Sequence, residues 1–173
     1  PACLIAVGEA RGLDDAALTR ALFNASAIGI VIATGATISG AEGGCQAEVG
    51  SASAMAASAL VEMAGGSVSA CINAAAMALK NMLGLVCDPV AGLVEVPCSK
   101  RNAVGVANAL AAADMALAGI TSVIPLDEVV RAMKEVGRAL PYELRETAKG
   151  GVAASKTAQE IRRRIGQSLA GDL

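Results

Sequence analysis

The chain has 173 residues, which suits a single domain with a sizeable core. Its 14 basic and 16 acidic residues nearly cancel, and Phe23 and Tyr142 are its only aromatic residues, so it lacks the positive charge and the stacking side chains that favour a nucleic-acid partner. Alanine dominates an apolar fraction of 54%, a composition that favours closely packed helices over strands. Residues 1–173 are therefore predicted to form one all-α domain.

The segment between Arg20 and Glu42 carries no charge, which raises the question of a membrane span. It contains polar residues such as Asn24 and Thr34, whereas a span is near-continuously apolar, so a buried part of a soluble core, with no membrane partner, is the preferred interpretation. The chain begins at Pro1 without an apolar leader, so we expect no signal peptide and regard these residues as part of a longer chain. Five cysteines, an odd number, favour a reducing cytoplasmic location over a disulfide framework.

The first predicted element is a short helix over residues 14–23, with acidic residues at its positive end. A glycine-dense segment over residues 35–50 is predicted to be a loop in which the backbone closely approaches another group. Alanine-rich helices are predicted over residues 51–64 and from Ser67 or Ser69 to about residue 83.

Pro89 and Pro97 break the next segment, so residues 86–96 are predicted to be a loop, and a helix of small residues resumes over 102–117. Pro125 opens an amphipathic helix that ends before residue 141. A last helix follows a second glycine-containing loop, and Thr157-x-x-Glu160 matches the capping box of its first turn. The expected architecture is a compact bundle of about six to eight alanine-rich helices, in which irregular glycine- and proline-rich loops carry the cysteines.

Three of the five cysteines, Cys45, Cys87 and Cys98, stand at predicted junctions between loops and helices. Backbone amides at such junctions can stabilise thiolates and lower their pKa. Cys71 instead lies in the middle of an alanine-rich helix and is expected to be a small core residue. Cys3 lies near the start of the chain and supports no conclusion.

The spacing of the three junction cysteines leaves two interpretations open. Their separations of 42 and 11 residues match no standard zinc finger, so burial as small apolar residues is as good an explanation as metal binding. Because histidine is absent, a metal site here would be rich in thiolate, which favours iron–sulfur or zinc.

Three longer segments carry a resemblance to a known family. The strings TGATISGAEGGCQAEVGSASAMAA, LKNMLGLVCDPVAGLVEVPCSKRNAVG and LRETAKGGVAASKTAQEI closely resemble the alpha chain of bacterial iron–sulfur L-serine dehydratase (L-serine ammonia-lyase), over about residues 24–161. The resemblance implies a helical catalytic domain completed by a separate beta chain or domain, and the deamination of L-serine to pyruvate and ammonia. It also implies a [4Fe–4S] cluster held by Cys45, Cys87 and Cys98. We further expect an oligomer.

The chemistry of the implied reaction suits three cysteine ligands. Dehydration of serine requires loss of hydroxide, a poor leaving group, and of a weakly acidic Cα proton. With three cysteine ligands one iron lacks a protein thiolate, so it can bind the substrate and act as a Lewis acid on the departing oxygen. A fourth cysteine ligand would close that position.

Four side chains near these cysteines in the sequence are candidates for a part in catalysis. Lys100 and Arg101 could neutralise the charge of a cluster or bind the substrate carboxylate. Glu42, with Glu48 as a second choice, could be the general base. The ordinary alternative for each is a solvent-exposed charge.

Substrate binding is predicted for two glycine-containing loops and one amide side chain. Ser39 and Gly40 in the first loop, and Gly150 and Gly151 in the second, could present backbone amides to the substrate. Asn102 could donate a hydrogen bond to the substrate, or cap the helix that it begins.

Other functions remain open from the sequence. A cysteine desulfidase could use the same cluster, because a thiol also binds iron. A pyridoxal-phosphate lyase would need Lys80 or Lys100 as its Schiff base, and neither has suitable flanking residues. A non-catalytic subunit, metal-free or stabilised by a metal such as zinc, would explain the high alanine content through packing against a partner chain.

Overall fold

The computed structural model describes the backbone of residues 1–171 and side chains as far as residue 167, and within that part of the chain the regular structure is helical without a strand. The helices are α1 (Ala2–Arg11), α2 (Asp15–Gly35), α3 (Gly40–Gly43), α4 (Ser51–Met63), α5 (Val68–Asn81), α6 (Cys98–Leu117), α7 (Leu126–Ala139) and α8 (Lys156–Gly171). The connections include a π-helical segment, Gln46–Gly50, and 3-10 turns at Val90–Gly92, Tyr142–Leu144 and Gly151–Ala154. The predicted all-α class, with about six to eight helices, is confirmed.

Local capping explains where several helices begin. The Asp14 carboxylate accepts a hydrogen bond of 2.8 Å from the backbone N–H of Ala17 and caps α2. The Ser67 hydroxyl does the same for α5, with the N–H of Ala70 at 3.2 Å. Pro125 directly precedes α7, where its missing N–H is not needed. Of the two predicted caps for α5, Ser67 is therefore the correct one.

Two predicted boundaries near the N-terminus were wrong. The helix predicted over residues 14–23 continues to Gly35, because polar residues within it bond back to the helix itself: Ser26 Oγ donates to the Leu22 carbonyl and Thr34 Oγ1 to the Ile30 carbonyl, both at 2.8 Å. The glycine-dense segment is also not a simple loop, because it contains α3 and the π-helical segment.

Two predicted helix starts in the second half of the chain were also wrong. Helix α6 begins at Cys98 rather than at residue 102, so Asn102 lies inside the helix and does not cap it. At the last helix, the Ser155 hydroxyl accepts a hydrogen bond from the N–H of Ala158 at 3.3 Å, so the cap lies two residues before the predicted Thr157.

The core lies around α4, which contacts α2, α5 and α6. Helix α7 packs on α5 and α2. The buried surfaces are largely alanine, including Ala54, Ala57, Ala74, Ala75 and Ala109. Because alanine projects only one methyl group, the helices pack with their backbones close together.

Helix α2 has two different apolar faces. Ile28 and Ile32 are buried against the neighbouring helices, whereas Phe23 is 73% exposed and Ile30 is 64% exposed. Among the described residues it is the one helix long and apolar enough to cross a membrane by length and composition, a test that core helices also pass. The predicted burial of this segment therefore holds for one face only.

Candidate metal centre

The thiols of Cys45, Cys87 and Cys98 come together in the structure, as predicted for metal ligands. Their sulfur atoms all lie within 4.8 Å of one another, and all three residues are buried. The surrounding apolar side chains are Val49, Met82 and Leu85. This group could hold a metal ion, whereas Cys71 lies apart from it in the alanine-rich core.

The chain around Cys45 is positioned by a glycine and a glutamine. Gly44 has a φ of 76°, and a Cβ there would lie 2.9 Å from the Leu85 carbonyl oxygen, so only glycine fits without strain. The Gln46 side chain is buried; its Nε2 donates to the Met133 carbonyl at 3.0 Å, and its Oε1 accepts from the Gly84 N–H at 2.9 Å. These bonds fix the Cys45 segment between α7 and the chain that leads to Cys87.

Cys87 is held by a short parallel backbone pairing with the segment around Arg145. Its N–H donates to the Leu144 carbonyl at 2.9 Å, and its carbonyl accepts from the N–H of Glu146 at 2.8 Å. The string that contains Gly150 and Gly151 is thereby brought beside the thiols.

Arg101 and Asp88 form the polar contact nearest to the thiols. Arg101 Nη1 lies 2.8 Å from Asp88 Oδ1, 2.8 Å from the Val86 carbonyl oxygen and 3.7 Å from Cys45 Sγ. Asp88 is only 2% exposed, and its Oδ2 accepts a bond of 2.7 Å from the Val152 N–H. Asp88 therefore orients, through a buried ion pair, the guanidinium that contacts a thiol in the described part of the chain.

Burial controls the protonation of two of the thiols, Cys45 and Cys87. It raises the pKa of Cys45, and the Arg101 hydrogen bond opposes that effect. Burial also raises the pKa of Cys87, and the neighbouring Cys45 thiol adds to it. Without a metal the Cys45 and Cys87 thiols are protonated at neutral pH, so metal binding has to release their protons.

The predicted catalytic and substrate-binding residues are not all close to the thiols. Arg101 is, but Lys100 is exposed to solvent, and Asn102 lines a separate cavity with Cys3 at the interface of α1, α4 and α6. Gly151 has a φ of 56°, and a Cβ on it would meet the Asp88 carboxyl group. Gly150 packs on the backbone of residue 143.

The first predicted loop lies beside Glu48. Ser39 is half-buried and directly precedes α3, and the Gly40 N–H donates to Glu48 Oε1 at 3.2 Å. Partial burial raises the pKa of the Glu48 carboxyl group, the nearby Glu146 raises it further, and the Gly40 bond acts against both.

Glu42 faces a cavity of about 360 Å³ between α3 and α7. Its Oε2 accepts a hydrogen bond from the Thr37 hydroxyl. The other lining residues are Ala36, Ala41, Gly43, Gln46, Met133, Lys134, Gly137, Arg138 and Arg145. This cavity adjoins the cysteine segment, because Gly43 and Gln46 lie on either side of Gly44 and Cys45.

Three residues of this site were not predicted from the sequence: Gln46, Asp88 and Arg145. A buried aspartate directly after a candidate ligand is an available signal, because a buried carboxylate requires a partner. For Gln46 and Arg145, the partners lie 87 and 58 residues away along the chain, and neither has a local pattern.

Comparison with known proteins identifies the family. The serine dehydratase alpha chain family profile matches residues 1–153. The probable L-serine dehydratase alpha chain of Bacillus subtilis is 60% identical over 95% of this chain and 55% of its own length, and that of Latilactobacillus sakei is 57% identical over 99% and 83%. The L-serine dehydratase alpha chain of Peptoniphilus asaccharolyticus is 56% identical over 94% and 56%. The chain thus spans about half the length of two of these three relatives. It belongs to the serine dehydratase alpha chain family.

Proposed function

We propose that this chain is the cluster-binding, catalytic part of an L-serine dehydratase, which deaminates L-serine to pyruvate and ammonia by β-elimination of water. The observation that carries the proposal is the group of three buried thiols, Cys45, Cys87 and Cys98, within 4.8 Å of one another in a chain of this family. The names of its relatives support the reaction and the substrate.

The donor chemistry of the site fits an iron–sulfur group. All three donors are thiols, the chain contains no histidine, and Arg101 lies against one sulfur, where it can offset thiolate charge. A tetrahedral zinc ion with bonds of about 2.3 Å places its sulfur ligands about 3.8 Å apart. The observed separations, all within 4.8 Å, already suit zinc, whereas a larger [4Fe–4S] cluster needs the three side chains to turn outwards, so metal analysis separates the two.

When bound, the cluster supplies an iron without a protein thiolate, a Lewis acid for the leaving hydroxyl group of serine. The residues of this chain then have three tasks: to hold the thiols, to balance their charge and to take the Cα proton. Gln46 and Asp88 serve the first task through their buried hydrogen bonds. Arg101 serves the second, while Lys100, which is exposed, is left as a secondary candidate.

Two carboxylates are candidates for the general base. Glu42, predicted from the sequence, lies on the wall of the cavity between α3 and α7. Glu48 has a raised pKa, which favours proton exchange near neutral pH. We propose that the loops of Ser39–Gly40 and Gly150–Gly151 shape the substrate site around them, and that Asn102, in its separate cavity, contributes least.

We further propose a cytoplasmic, oligomeric enzyme that a beta chain completes, without a nucleic-acid or membrane partner. The relatives are named alpha chains, which implies a second chain in those proteins. A reducing cytoplasm would keep the three unpaired thiols available for metal.

The test is anaerobic reconstitution of the purified chain with iron and sulfide. We expect a broad visible absorption that bleaches in air, iron in proportion to protein, and pyruvate from L-serine once the beta chain of a relative is added. A colourless protein with one zinc per chain would contradict the cluster. Sulfide release from L-cysteine at a higher kcat/KM than pyruvate release from L-serine would favour the desulfidase, and an absorption band shifted by borohydride would favour pyridoxal phosphate.

A further inference from the structure

We infer that the cavity between α3 and α7 recognises the zwitterionic head of an amino acid, with Arg145 binding the carboxylate and Glu42 the ammonium group. The inference deepens the proposed function, because it assigns the part of the site that selects an amino acid. Nothing in the thiol group itself would make that selection.

The cavity has the size of a ligand site. Its volume of about 360 Å³ lies within the range of about 300–1,000 Å³ typical of small-molecule pockets. The walls are helices α3 and α7, and the buried Gln46 closes one side. Its walls bring together three cations, Lys134, Arg138 and Arg145, and one carboxylate, Glu42.

Arg145 is the unsatisfied cation of this cavity. The residue is half-buried, and within the described part of the chain its guanidinium makes neither a hydrogen bond nor an ion pair. Its Nε is fully enclosed and lacks a partner. A buried donor without a partner is costly, and a carboxylate that accepts two N–H bonds is the ligand group that satisfies a guanidinium.

The other cations of the cavity are already engaged. Arg138 pairs with Glu135 at 3.0 Å, and Lys134 Nζ lies 3.4 Å from the Gly35 carbonyl oxygen. Among the described cations of the cavity wall, Arg145 is therefore the one without a partner, and an incoming carboxylate has no existing bond to displace there.

Glu42 provides the opposite charge. The Thr37 hydroxyl donates to its Oε2 and so fixes its direction, and in the described structure it forms no ion pair with Lys134, Arg138 or Arg145. Opposite charges that line one cavity without pairing leave room between them for a ligand that carries both. An amino acid has that pattern, whereas a phosphate dianion would be repelled by Glu42.

The cavity also adjoins the backbone segments that carry two of the thiols, Cys45 and Cys87. Residues paired in a parallel bridge project to the same side of the pairing, so the Arg145 side chain leaves the backbone on the side of the Cys87 thiol. Gly43 and Gln46 of the cavity wall flank the Cys45 segment. With Glu42 used for binding, proton transfer falls to Glu48.

The experiment is ligand-observed NMR on the complete chain, metal-free and reconstituted. The probes are L-serine, L-lactate, which lacks the ammonium group, and L-serinamide, which lacks the carboxylate. We expect Arg145→Gln to weaken the binding of L-serine and of L-lactate by at least about tenfold, because a charge-assisted hydrogen bond to the carboxylate is lost. Glu42→Gln should weaken the binding of L-serine and of L-serinamide, and it should leave the affinity for L-lactate within about twofold of the wild-type value. L-Serinamide should be insensitive to Arg145→Gln.

Arg131→Gln is the matched control, because Arg131 is an exposed α7 residue paired with Asp127 outside the cavity. It should leave every affinity unchanged, and Arg145→Lys should lose less affinity than Arg145→Gln. Circular dichroism checks that each variant is folded. The inference is overturned if L-serine binds neither form of the chain, or if Arg145→Gln binds it as the wild type does. Failure of the proposed function is seen separately, as a chain that takes up no iron and forms no pyruvate.

Discussion

The alanine-rich core and the metal centre are both buried, but different interactions hold them. The core consists of regular helices in which small apolar residues bring the backbones together. The metal centre lies among irregular segments, with residues such as Ala91 and Glu146 at positive φ, and three side chains fix it by hydrogen bonds: Gln46, Asp88 and Arg101. A buried cysteine therefore has a different meaning in each region.

The alanine-rich core is expected to contribute mainly to stability, and the candidate metal centre mainly to function. In the core, Cys71 packs among small apolar residues, so replacement by another small side chain is expected to be tolerated. At the candidate metal centre, replacing a cysteine sulfur removes a candidate metal ligand. Neutralising one member of the Asp88–Arg101 pair leaves the other charge buried and unpaired. Variants of the two regions should therefore differ in which measurement they affect.

The largest difference is expected between two cysteine substitutions. Cys87→Ala should lose nearly all bound metal, because it removes one of three thiols that lie within 4.8 Å of one another. Cys71→Ala should keep the wild-type metal content and lose about 1 kcal/mol of stability. Metal per chain after anaerobic reconstitution is the measurement, and equal losses in both variants would remove the distinction between the regions.

The next effect concerns the buried charge pair. Asp88→Asn should lower the free energy of unfolding by about 3–5 kcal/mol, because Arg101 is left without its carboxylate partner in a buried setting. The matched control is Asp127→Asn, which breaks an exposed pair with Arg131 and should cost no more than about 1 kcal/mol. Denaturant unfolding of the metal-free proteins provides both values, and similar costs would show that Asp88 has no special role.

A smaller effect is expected from two glycines at positive φ. Gly151→Ala should lower the free energy of unfolding by about 2 kcal/mol or more and reduce metal uptake, since its new methyl group meets the Asp88 carboxyl group. Gly12 has a similar φ but no neighbour within 4 Å, so Gly12→Ala should cost about 1 kcal/mol from the backbone alone. Denaturant unfolding and metal analysis of both variants isolate the contribution of the contact with Asp88. If the two variants lose the same free energy of unfolding, that contact contributes nothing.

In the core, an effect on stability without an effect on metal binding is expected. Ala109→Val adds two methyl groups to a fully buried position on α6 and should cost about 1–3 kcal/mol, with unchanged metal per folded chain. Ala111→Val on the exposed side of the same helix should cost about 0.6 kcal/mol, the difference in helix propensity. If Ala109→Val lowered metal content in the folded fraction, the two regions would be coupled more tightly than their contacts indicate.

The parts of the fold that could be predicted are those with local signals. Ser67, Pro125 and Pro141 mark helix ends through rules that need only neighbouring residues, and those boundaries were found to within a few residues. The length of α2 was missed, although Ser26 and Thr34 do not interrupt the helix, because each bonds back to a carbonyl of the same helix.

The candidate site could be predicted only as far as its residue types allowed. The three cysteines were recognisable by their junction positions and by resemblance, and the structure brings them together. The partners of Asp88 and Arg145 depend on how distant segments meet, which no local pattern records. The base and the substrate-binding residues stay predictions.

The pairing of Cys87 with the segment around Arg145 also has a consequence for how the protein is made. Cys45 and Arg145 are separated by 100 residues, and the thiols, the Asp88–Arg101 pair and residues 144–152 meet only when all of those segments are in place. Closing loops of that length comes late in folding. During synthesis the three cysteines leave the ribosome well before Leu144 can anchor Cys87, so incorporation of metal into the finished site reports that the chain has folded through this segment.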